Sequence, residues 1–148
     1  MAALSLNGDR LIRLPLVDTK ANYLDGFWQW VELLAANDYQ GAIEALHWPK
    51  GTSWTPEALK NRITTFWGGD APWSVVVPNE RLVGVINDDA QLKPRNNEDW
   101  GWFMAQVPVT TAPADPKNDD ILLMGVASFF FVRQRGEHYV LEHEIFHT

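Results

Sequence analysis

The chain has no cysteine in 148 residues. That excludes a disulfide framework, a thiolate zinc site and a cysteine nucleophile. Lys/Arg clusters are also missing. The nearest approach is Arg133 and Arg135, and the formal charge is −7. A net acidic chain without a basic patch is a poor partner for nucleic acid or an anionic membrane. No stretch approaches the roughly 20 apolar residues of a membrane span. The opening "MAALSLNGDRLIRL" has no basic segment leading into an apolar run, so it does not read as a signal peptide. The expectation is a cytoplasmic protein with no nucleic-acid or membrane partner. The nucleophile elbow, the phosphate-binding loop and the dinucleotide fingerprint are absent too, and no cofactor is expected.

Aromatic residues, in contrast, are abundant: eight Trp, seven Phe and three Tyr. Such side chains fill cores, line ligand cavities or cover partner surfaces. At 46% hydrophobic and 21% charged, the composition is that of one globular domain over 1–148.

Asn7-Gly8 is a strong hairpin signal, so 1–17 reads as an N-terminal β-hairpin extension with Leu4 and Leu6 against Leu11, Ile12 and Leu14. Residues 18–69 read as helical. Tyr23, Leu24, Phe27, Trp28, Val31, Leu34 and Ala35 follow the spacing of one helix face, after Asp18 or Thr19 as cap. Asp38 caps a second helix. Thr55-Pro56 starts a third, which Gly68 and Gly69 stop. Residues 70–148 read as antiparallel sheet. "WSVVVPNERLVGVIN" predicts two short strands around Pro78-Asn79. "WGWFMAQVPV" predicts a strand with Trp100, Trp102 and Met104 on one face and Gly101 and Phe103 on the other. The last two strands join at Gln134-Arg135-Gly136, a three-residue loop that sets Phe131 against Tyr139, Phe129 against Leu141 and Ala127 against His143. A run of helices followed by a run of strands implies an α+β fold.

"VLEHEIFHT" concentrates the candidate chemistry. "HEIFH" has the letters and spacing of a helical zinc motif. In a strand, though, His143 and His147 stand about 13 Å apart, so no metal site is expected. Glu142 and Glu144, about 7 Å apart on the opposite face, are read as solvent-facing acids, with paired-carboxylate chemistry as the alternative. "NDD" at 87–89 and "DPKNDD" at 115–120 lack calcium-loop spacing and read as solvated loops.

His143 is the one candidate catalytic residue. The register places it on the apolar face opposite small Ala127. Either a helix side chain fills that space, or it is a pocket in which the imidazole moves a proton. The pocket would be lined by Tyr23, Phe27, Trp102 and Ala127, with Phe129, Tyr139 and Leu141 on the flanking strands. Tyr23, Tyr39, Tyr139 and Asp25 are candidates for a second polar group beside it.

The three-helix start, "LAANDYQGAIEAL" and the closing pair of long strands resemble the nuclear-transport-factor-2-like (NTF2-like) superfamily over roughly residues 20–147. The resemblance implies helices packed on a curved, mostly antiparallel sheet that encloses an apolar pocket. Members of that superfamily that are enzymes use Asp, Tyr or His groups inside the pocket. Three functions stay open. The first is a binding or interaction domain holding a small apolar ligand or a second copy as a homodimer. The second is a small metal-independent isomerase, dehydratase or hydrolase with His143 as general base. The third is an immunity- or inhibitor-type protein for which acidic charge speeds association with a basic partner.

Overall fold

The computed structural model describes residues 10–48, 54–68, 73–93, 101–111 and 123–147, with side chains placed as far as 144. The order is α1 (Lys20–Ala35), α2 (Tyr39–Ala45), α3 (Pro56–Thr64), β1 (Ser74–Val75), α4 (Glu80–Asp89), β2 (Gln91–Lys93), β3 (Gly101–Thr110), β4 (Met124–Arg135) and β5 (His138–His147). Among the described residues this is an α+β fold: four helices and one curled, half-barrel antiparallel sheet.

Local chemistry sets the helix starts. Thr19 caps α1 by accepting from the Asn22 amide, Asp38 caps α2 through Gly41, and Thr55 caps α3 through Ala58. Each satisfies an amide that the first turn leaves without a helical partner. Asn37, at φ 64°, breaks the chain between α1 and α2. Gly68, at φ 71°, turns it after α3. The buried face of α1 carries Tyr23, Phe27, Trp30, Val31 and Leu34. It lies on the sheet through Phe103 and Phe130: Phe27 meets them at 6.1 and 6.2 Å between ring centres, and Trp30 meets Phe130 at 5.4 Å.

The segment expected as two strands around Pro78-Asn79 is β1 followed by a helix. The Asn79 side chain accepts from the Leu82 amide, so Asn79 is the cap of α4 and not a turn residue. Valine-rich composition suggested a strand. The cap, an acid in the first turn and the Leu82–Val85–Ile86 spacing prevailed. The polar segment after α4 contributes β2. Of the N-terminal hairpin, residues 1–9 lie outside the described residues. The second arm pairs elsewhere, for Leu14 exchanges backbone hydrogen bonds of 2.9 and 2.8 Å with Tyr139 of β5.

The sheet runs β1-β3-β4-β5, with β2 also on β3. The β4–β5 register differs from the expected one. Arg135 faces His138, Gln134 faces Tyr139, Val132 faces Leu141 and Phe130 faces His143. The turn is therefore Gly136-Glu137, two residues with glycine first at φ 61°, as a type II′ turn requires. Placing the glycine third in a longer loop shifted the expected pairing by an odd number, which exchanges the faces of β4. A bulge follows. Ile145 faces Phe129, so Glu144 is the extra residue. The closing segment is thus a bulged strand, and the two histidines of "HEIFH" do not share a helix face.

Val126, Ser128, Phe130 and Val132 consequently point to the helices with Tyr139, Leu141 and His143, whereas Phe129 and Phe131 lie on the outer face. In β3 the expected alternation holds, with Phe103 buried between half-buried Trp102 and Met104. Trp100 lies outside the described residues. The free edge of β5 is covered by two short contacts. Leu14 bonds at Tyr139, and His47 donates its amide to Leu141 (2.9 Å) and accepts from the His143 amide (3.2 Å). Covering the edge removes a template for unwanted strand pairing.

Candidate functional site

The seven residues expected to line one pocket divide between the two faces of the sheet. Tyr23, Phe27, Tyr139 and Leu141 are buried in the helix-facing core. Trp102 and Phe129 stack on each other on the outer face at 5.4 Å, and Ala127 lies opposite Gln106 on that same face. Tyr23 meets Tyr139 at 6.2 Å and donates its hydroxyl to Asp18. Tyr39 is buried on α2, and Asp25 is exposed and accepts from Gln29.

His143 is 2% exposed. The space beside it is filled by rings: Trp48 at 5.2 Å, Phe130 at 5.4 Å and Trp30 at 5.7 Å. Burial pushes its pKa down to about 3, so the ring is neutral near pH 7. A general base needs reach to a substrate and a pKa near the working pH. This environment provides instead a packed, uncharged core histidine.

Its neighbour Glu142, read from sequence as solvent-facing, is only 6% exposed. Its carboxylate accepts from Arg133 Nε at 2.5 Å, and His47 Nδ1 stands 3.5 Å from the other oxygen. The contact with His47 is within ion-pair reach but outside hydrogen-bond geometry. Glu144, the bulge residue, is exposed. The pair is asymmetric, because Arg133 is 41% exposed and can return to water whereas Glu142 cannot. Arg133→Met is therefore expected to destabilise by about 1–3 kcal/mol, toward the lower end because solvent screens the exposed partner. Glu142→Gln should cost less, since it strands no buried charge. Urea unfolding of both variants at pH 7 measures this, and equal losses would contradict the asymmetry.

The larger open space lies elsewhere. A cavity of about 700 Å³ opens between α4, the outer face of β3 and β4, and the turn after α3. One wall is Leu82, Val85 and Ile86 of α4; Pro108, Leu123 and Met124 form another. Val85, 56% exposed, and Trp67, 38% exposed, both line the cavity. Trp67 is anchored, for its indole N–H donates to the Gly125 carbonyl at 3.1 Å. The floor depends on the same glycine. A Cβ at 125 would stand 2.2 Å from Gln106 Oε1, so only glycine lets that amide lie across β4. Asp88 and Asp89, at the end of α4, supply the charged part of the lining. Ligand sites commonly span roughly 300–1,000 Å³ and combine apolar walls with a few polar groups, as this one does. A second cavity, about 350 Å³, lies between the end of α1, α3 and β1. Among the described residues no group of three or more His, Asp or Glu is placed to hold a metal, and no helix is long and apolar enough to cross a membrane.

Of the residues around the larger cavity only Asp88 and Asp89 were weighed from sequence, as part of a calcium loop, and they were read as solvated. Two signals were available. Gln106 interrupts an apolar strand next to Pro108, and α4 shows helical spacing once Asn79 is read as a cap. Neither says that these elements face one another. Comparison with known protein families, curated protein sequences and solved structures gives no match for this chain.

Proposed function

We propose that the chain is a small-ligand-binding domain, that its architecture is of the NTF2-like kind, and that the cleft between α4 and the outer face of β3–β4 receives the ligand. The observation that carries this reading is the cleft itself: a ligand-sized volume with apolar walls, an exposed but anchored tryptophan and one amide on its floor. The superfamily reading rests on the helix α1 held by a curled antiparallel sheet. The cleft differs from the pocket the resemblance implies, because its sheet lining, Gln106, Pro108 and Gly125, faces away from the core that α1 fills.

Titration of the purified chain with the neutral dye Nile red tests the reading. Saturable binding at one site is expected. Val85→Glu should weaken it about tenfold or more, because the dye would then bury a carboxylate without a partner. Melting temperature should hardly change, since Val85 is exposed. Absent binding, or equal affinity in the variant, would rule out the cleft.

A further inference from the structure

We infer that the cleft selects an organic cation: a compact apolar body bearing an ammonium or similar group. The inference rests on the ligand-binding reading above and adds the charge of the ligand. Every ionisable residue in the described lining is an acid, Asp88 and Asp89. Neither carboxylate enters an ion pair among the described residues. Both occupy the last turn of α4, where carbonyls left without helical partners give a partial negative charge. Lys20 already answers that charge on one side, its Nζ donating to the Asp88 carbonyl at 3.2 Å. Among the described residues the two carboxylates have no such counter-ion.

Trp67 supplies the third element. Its ring lines the cleft, its orientation is fixed by the bond to Gly125, and tryptophan is the best aromatic partner for a cation. Apolar walls from α4 and β3–β4 would take the ligand's body, and the Gln106 amide can accept from or donate to a polar substituent. An anionic ligand would face two carboxylates and a helix C-terminus with no compensating base in the described lining. The net charge of −7 adds long-range attraction for a cation.

The test compares two probes of nearly the same shape, benzyltrimethylammonium and its neutral isostere neopentylbenzene, as competitors of Nile red on the full chain. The cation is expected to compete at about tenfold lower concentration, an advantage that shrinks with added salt. In the double variant Asp88→Asn/Asp89→Asn the advantage, read as the ratio between the two probes, should fall to about twofold or less. Both positions are exposed, so the variant should melt like the parent. If both probes compete equally in the parent, cation selectivity is overturned and the apolar cleft stands. If neither probe nor dye binds, the ligand-binding reading falls with it.

Discussion

Trp30→Ala is expected to destabilise the fold by about 3–5 kcal/mol, measured by urea unfolding at pH 7. Trp30 is fully buried and joins three parts of the molecule. Its ring meets Phe130 of β4 edge-on at 89° and lies 5.7 Å from His143 of β5. Its indole N–H donates to the Ala42 carbonyl at 3.1 Å, in the last turn of α2 where helical donors have run out. Alanine would open a cavity, leave that carbonyl without its partner and loosen α2 from α1. Trp30→Phe separates the contributions in part. It keeps a six-membered ring and loses the hydrogen bond and a smaller volume than alanine, so a smaller loss, about 2 kcal/mol, is expected. If Trp30→Ala cost less than the phenylalanine variant, the packing described between α1 and the sheet would not exist in solution.

Acid should destabilise the parent more than a His143→Leu variant. The unfolded His143 takes a proton near pH 6.5, whereas the folded one resists it until about 3. Below pH 6.5 the unfolded state therefore binds more protons. Stability is lost as pH falls, by up to about 1.4 kcal/mol per unit. Between pH 7 and pH 4 the excess loss in the parent should be roughly 3 kcal/mol. Carboxylates titrate in the same range in both proteins, so the difference between the two curves isolates the histidine. Parallel curves would mean that His143 accepts a proton in the folded state, which needs water or an acid within reach. That result would reopen it as a proton-transfer group.

Of these two residues only His143 had its face legible in the chain; Trp30, fully buried, was not among the residues that spacing placed on the core side of α1. The helical spacing of Tyr23, Phe27 and Val31 placed the core face of α1, and the alternation in "YVLEHE" put Tyr139, Leu141 and His143 on one face of β5. Caps at Thr19, Asp38 and Thr55 were readable because a side chain three residues from the amide it serves acts locally. The failures were also local in origin. Strand-forming valines outweighed the Asn79 cap, and one glycine admitted two turns of different length.

What the sequence by itself determined is the class: an acidic, cysteine-free α+β chain with a helical start, a closing pair of long strands and an aromatic core. Periodicity and capping decide such things between residues a few positions apart. Only the tertiary structure decided which rings surround His143, that Glu142 is buried against Arg133, and that α4 and the outer sheet face form a cleft. Each depends on strand register. A register fixes contacts between residues distant in sequence, and an odd shift sends every side chain of a strand to the other face.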